Sequence, residues 1–133
     1  MVFGAFDGVH AGHRAFFNEA RHHGDYLMAV VAQNHIIEHL KGHLPEIDLE
    51  ERFRLLEKED QVDEVIVGDG EVGAWEVVKR YHPEVIALGY DQREMLQSLN
   101  DHMDEFPWHP EVVVTSAFEP DKYHSSILKK KRS

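Results

Sequence analysis

Met1-Val2-Phe3-Gly4-Ala5-Phe6-Asp7-Gly8-Val9-His10-Ala11-Gly12-His13 opens the chain. Its first three residues read as a strand stub, and Gly4 to His10 as a loop. From about Gly12 to His23 the pattern is helical, with Phe16, Phe17 and Ala20 on or near one face. Gly24-Asp25 stops that helix. A glycine-rich loop running from a strand straight into a helix brings backbone N–H groups and the positive helix end to a phosphate-sized site. His10 and His13 sit three apart with Gly12 between them. Both imidazoles can point the same way at the helix start, and Gly12 lets a phosphate approach the backbone closely. Two imidazole donors there suit charge developing on a phosphoryl group. Only three residues precede Gly4, against ~5–6 in a usual strand. That shortness has two readings, a chain that begins late or a weakly held edge.

Outward from this stretch the strand–helix alternation repeats. Tyr26 to Ala32 is a continuous apolar run, the pattern of a strand buried on both faces. His35 to Leu40 reads as a short helix, and Lys41 to Ile47 as a loop containing Gly42 and Pro45. Asp48 then caps a helix, with Glu51 completing a capping-box pair and Leu49, Phe53 and Leu56 at helical spacing. Val62 to Val67 is a third strand, closed by Gly68-Asp69-Gly70. Val72 to His82 is helical and Pro83 ends it. Val85 to Leu88 forms a fourth strand ending at Gly89, Met95, Leu99 and Met103 mark a further helix, and Val112 to Val114 is a fifth strand. Ser125 to Lys131 makes a terminal helix. Trp75 and Tyr81 are expected in the core, and Asp69, Glu71 and Asp101 on a solvated acidic surface. Trp108 either stacks on a flat ring or covers the sheet edge.

This order predicts an α/β fold, a Rossmann-like three-layer sandwich with a five-stranded parallel sheet, forming a single domain over residues 1–133. Ligands in such folds sit beyond the carboxyl ends of the strands. Gly4–His13, Gly89–Gln92 and Tyr123–Ser126 all fall there.

Composition narrows the function. A net charge of −11 argues against a nucleic-acid or anionic-membrane surface, but not against a phosphate held by a local cluster of donors. No apolar run approaches the ~20 residues of a membrane span. Cysteine is absent, so thiolate metal sites are impossible and a cytoplasmic setting is expected. His35, His39 and His43 are spaced by four; the first two can share a helix face, but Gly42 ends the helix before His43, so the pair lacks a third ligand and reads as an exposed face rather than a metal site.

The opening loop resembles the signature Gly-Thr-Phe-Asp-x-x-His-x-Gly-His of a nucleotidyltransferase superfamily, departing from it at Ala5. By that resemblance Gly4, Ala5, Phe6, Asp7 and Gly12 line the nucleotide, while His10, His13 and Lys41 are catalytic, the two histidines donating to the α- and β-phosphates. Lys41 corresponds to a lysine that contacts phosphate. Gly89, Asp91 and Gln92 correspond to contacts with base and ribose. Ser125 and Ser126 are similar to a C-terminal signature that holds the β- and γ-phosphates, with Lys129 where an arginine is usual and His124 either a cap or a ligand. Asp7 would orient the loop or meet a metal through water.

Within the superfamily the chain looks most like the archaeal-type FAD synthases. The implied reaction joins ATP and FMN, with Mg²⁺ accompanying the triphosphate, and a homodimer is the implied assembly. Two alternatives stand beside it: a cytidylyltransferase using CTP and glycerol 3-phosphate, and a nucleotide-sensing module that has lost catalysis, motivated by Ala5 and Lys129.

Overall fold

A computed structural model describes residues 1–116. The elements are β1 (Val2–Gly4), α1 (Ala11–Arg21), β2 (Met28–Val31), α2 (Asn34–Lys41), α3 (Leu49–Glu57), β3 (Glu64–Val67), α4 (Glu76–Tyr81), β4 (Val85–Leu88), α5 (Arg93–His102) and β5 (Glu111–Val114), with a 3₁₀ turn at Met103–Glu105. The expected terminal helix lies outside the described residues. All five strands are parallel, in the order β3-β2-β1-β4-β5. The expected α/β sandwich is therefore the observed fold. No helix among the described residues is long and apolar enough to cross a membrane.

Strand periodicity builds the three layers. Successive side chains point to opposite faces, so Val2, Ala29, Val31, Val65 and Ala87 join one core, with Phe17 and Ala20 of α1 and Leu56 of α3. Phe3, Val30, Ile66, Ile86 and Leu88 join the other, with Val78 of α4 and Leu99 of α5. Trp75 belongs to this second core and donates its indole N–H to Ser98 Oγ at 3.1 Å.

Several local expectations change. The short first strand is no edge; it is the centre of the sheet. Asp48 occupies the N-cap position of α3, but its side chain makes no capping bond. Glu51 pairs instead with Arg54 at 3.0 Å, so the expected capping box does not form. α4 starts at Glu76 rather than Val72, because Gly73 and Trp75 both take positive φ (78° and 56°). Asp69 is not idle surface charge. Its two carboxylate oxygens accept the amides of Glu76 and Val77 at 2.8 and 3.0 Å, at the start of α4. Tyr81, expected in the core, is 39% exposed. Trp108 covers rather than waits: it stacks on His82 at 4.1 Å between centroids and donates to the Pro83 carbonyl.

The chain runs outward from β1 through β2 to β3, then crosses to β4 and β5 on the other side. β1 and β4 are thus the strands at which the winding reverses, and the carboxyl ends of such a pair flank the ligand crevice of this fold class.

Candidate active site

Both flanks of the crevice are fully laddered, but the crevice is not. β1 pairs with β2 through Gly4↔Val31, and β4 with β5 through Leu88↔Val114. Between β1 and β4 the register holds only Val2↔Ala87. Beyond it the strands are bridged by a side chain. Gln92 Oε1 accepts the Gly89 amide at 2.7 Å, and Gln92 Nε2 donates to the Phe3 carbonyl at 2.8 Å. The Gln92 amide also closes a turn onto the Gly89 carbonyl at 3.0 Å. A Cβ at Gly89 would lie 2.9 Å from Oδ1 of the exposed Asp91, which would have to swing aside to admit it.

The loop leaving β1 is built around the buried ring of Phe6. This residue takes a φ of 50°, costly for a residue with a side chain. Its ring folds back under Gly4, where a Cβ would come within 2.9 Å of it. Phe6 then packs edge-on against the His13 ring at 5.5 Å and against Phe17 at 5.5 Å. Gly4 thus makes room for the ring that supports an imidazole.

His10 and His13 do converge, with ring centroids 4.0 Å apart. They also cap α1 reciprocally. His10 Nδ1 accepts the Gly12 amide at 3.0 Å, and His13 Nδ1 accepts the His10 amide at 3.2 Å. Two of the backbone N–H groups at this helix start, those of His10 and Gly12, thus hold the rings. The consequence is chemical. An imidazole nitrogen that accepts must lack a proton, so each neutral ring carries its hydrogen on Nε2. Both Nε2–H groups are donors. Burial, reinforced by His10 and Lys41 and opposed by Asp91, pushes the His13 pKa down to about 4. His13 is therefore a neutral donor at physiological pH.

Asp7 reaches the backbone of a segment far along the chain. Its two oxygens accept the amides of Glu46 and Ile47, at 2.9 Å each. Burial works to raise this carboxyl, but the two amides, with Arg52 and Lys41 nearby, hold it below its ordinary range. The bonds tie the imidazole loop to the segment that follows Lys41. Lys41 was expected in that segment but is the last residue of α2; Gly42, at φ 81°, ends the helix. The lysine is exposed and close enough to depress His13 electrostatically. Asp91, also exposed, acts on His13 from the β4 side.

The sequence reading missed Arg52. Its side chain is wholly buried. Nη1 donates to the carbonyls of Ala5 at 2.9 Å and Ala32 at 2.7 Å, Nε to that of Ile47 at 2.8 Å, and Nη2 to Asn34 Oδ1. One guanidinium thereby stitches the chain leaving β1, the chain leaving β2 and the entry to α3. A signal existed: with Leu49, Phe53 and Leu56, position 52 completes the i, i+3, i+4, i+7 stripe that faces a core. A charge on that stripe needs buried partners.

Of the residues expected in the site, Gly4, Ala5, Phe6, Asp7, His10, Gly12, His13, Lys41, Gly89, Asp91 and Gln92 gather around the carboxyl ends of β1 and β4 or the segments tied to them. His124, Ser125, Ser126 and Lys129 lie outside the described residues.

The sequence profile of the cytidylyltransferase-like family matches residues 1–131. The chain belongs to this family. Its chemistry is nucleotidyl transfer, as the histidine motif led us to expect. Among similar proteins, the FAD synthase of Ferroglobus placidus is 38% identical over 127 residues, which cover 95% of this chain and 81% of that one. The FAD synthase of Thermococcus sibiricus is 33% identical over 126 residues, covering 95% and 82%. Among solved structures, the lipopolysaccharide core biosynthesis protein of Thermoplasma volcanium superposes with a TM-score of 0.81 at 29% identity, covering 90% of this chain and 96% of that one.

Proposed function

We propose that the protein transfers the adenylyl group of ATP to the phosphate of FMN, forming FAD and pyrophosphate. An oxygen of the FMN phosphate attacks the α-phosphorus in line, and the bond from that phosphorus to the bridging oxygen of pyrophosphate breaks. The attacking phosphate is already anionic at neutral pH, so no general base is needed. Alignment and charge neutralisation carry the rate. His10 and His13 donate through Nε2 to the α- and β-phosphates, and Lys41 offsets charge on the acceptor. A divalent cation accompanying the nucleotide would supply further charge neutralisation at the triphosphate and would need few protein ligands. Asp7 accepts the amides of Glu46 and Ile47 through both carboxylate oxygens, so its first task is to orient the loop.

The observation that carries this reading is the pair of rings whose backbone bonds leave both Nε2–H groups as donors. The choice of ATP and FMN rests on the likeness to proteins named FAD synthase. The test follows pyrophosphate release with ATP plus FMN, and separately with CTP plus glycerol 3-phosphate. Product from the first pair alone supports the proposal. Product from the second alone makes the protein a cytidylyltransferase, and tight ATP binding with no product from either makes it a sensor.

A further inference from the structure

Gln92 was grouped by resemblance with residues that contact base and ribose, but its carboxamide already bridges two backbone groups. Their identity is informative. In the parallel ladder between β1 and β4, the Ala87 amide donates to the Met1 carbonyl at 3.0 Å. Two residues on along both strands, the next rung of that ladder would join the Gly89 amide to the Phe3 carbonyl. These are the two groups that Gln92 holds. One peptide-like amide, contributed by a side chain, is interposed where a direct backbone bond of about 2.9 Å would otherwise form.

We propose that Gln92 is a wedge that keeps β1 and β4 apart at their carboxyl ends and so sets the width of the nucleotide crevice. It is a positioning residue, acting on the nucleotide through the strand ends. Three observations support this. The interruption is confined to β1–β4; both neighbouring ladders continue past the same level, through the Ala32 amide to the Gly4 carbonyl and the Thr115 amide to the Leu88 carbonyl, at 2.9 Å each. The wedge is braced, because the Gln92 amide and carbonyl are fixed by the turn to Gly89 and by the start of α5 at Leu96. The two chains it separates lead directly to the imidazole loop and to Gly89–Asp91, the segments expected to grip the nucleotide from opposite sides. The inference rests on the adenylyl-transfer reading only for the identity of the nucleotide.

A carboxamide is required because one bond needs an acceptor and the other a donor. Gln92→Ser is too short to span the gap, so the rung zips directly and the crevice narrows. ATP binding, measured by calorimetry, should weaken by about tenfold or more, in line with the cost of misplaced binding groups. Gln92→Glu supplies a discriminating readout. Ionised, its carboxylate accepts from Gly89 but faces the Phe3 carbonyl with no hydrogen. Protonated, it can serve both groups. Its ATP affinity relative to the parent protein should therefore recover as pH falls from about 7 towards 5, above the ordinary glutamate range near 4.3 because only the neutral form fits. A flat ratio across that range, or unchanged affinity in Gln92→Ser, would overturn the proposal.

Should either variant fail to fold, the unaltered protein still decides. Scalar coupling across hydrogen bonds should link the Gly89 amide nitrogen to the Gln92 side-chain carboxamide carbon. Coupling to the Phe3 carbonyl carbon instead would sink the wedge. None of these measurements uses FMN, so a protein that binds ATP but makes no FAD would refute the proposed reaction and leave this test intact.

Discussion

Arg52→Met is the perturbation from which the fold should suffer most. The side chain is wholly buried and donates to three backbone carbonyls and to Asn34. Methionine fills similar volume but offers no donor. Each buried acceptor left unpaired costs about 1–3 kcal/mol, so the carbonyls of Ala5, Ala32 and Ile47 set a gross loss of about 3–9 kcal/mol. Two terms reduce it. Burying a guanidinium is itself expensive, and methionine removes that penalty. The carbonyls also lie at strand and loop ends, where water can reach them after modest loosening. A net loss of about 4 kcal/mol follows, roughly a thousandfold in the folding equilibrium and about 15 °C in Tm for a chain of this size. Urea and thermal unfolding followed by circular dichroism measure it. Arg52→Lys, which keeps a charge but not the planar fork, should lose about half as much. If Arg52→Met costs under about 1 kcal/mol, the guanidinium does not hold these three segments together.

Four further outcomes are expected. Unfolded histidine takes its proton near pH 6.5, whereas His13 does so only near 4; between these values the unfolded chain binds more protons, so stability is complete above 6.5 and falls as acid is added. His13→Asn should flatten that limb in pH-dependent urea titrations, and an unchanged slope would contradict it. Asp7→Asn should loosen the segment after Lys41, seen as faster proteolysis there and lower turnover, with the Mg²⁺ concentration for half-maximal rate unmoved; a raised Mg²⁺ requirement would identify Asp7 as a metal ligand. Gly4→Ala should cost about 1–3 kcal/mol by overpacking the Phe6 ring and lower turnover through His13, so a variant of parental Tm would disprove the contact. Asp69→Ala should remove about 1 kcal/mol by uncapping α4 while leaving ATP affinity unchanged, as calorimetry can verify.

The fold was legible because the apolar runs are short, parallel-type and separated by helical spacing, a pattern that admits few other architectures. The site was legible where one continuous segment carries it, from Gly4 to His13. What escaped was relational. The rings of His10 and His13 could be foreseen at a helix start, but not that they would bond the amides of that same start in place of a phosphate. Asp48 and Glu51 had capping-box spacing, yet Arg54 lies within reach of Glu51 and takes it. Arg52 stood on an apolar stripe, a visible anomaly, but its backbone acceptors come from the chains leaving β1 and β2 and from the entry to α3, which no local pattern connects. Gln92 and Phe3 are 89 residues apart, and only the strand order makes them neighbours.

The mutual capping of the two histidines has an evolutionary side. The atoms that begin α1 and the atoms that would meet a triphosphate belong to the same two rings, on opposite edges of each. Under the proposed reaction, drift at either position would fray the helix and disarm the catalyst together, so a descendant that abandoned the reaction while keeping the architecture would need a substitute that still accepts from the backbone. Asparagine meets that need. Its arrival at position 10 or 13 in a relative would be the signature of a scaffold retained after its chemistry was given up.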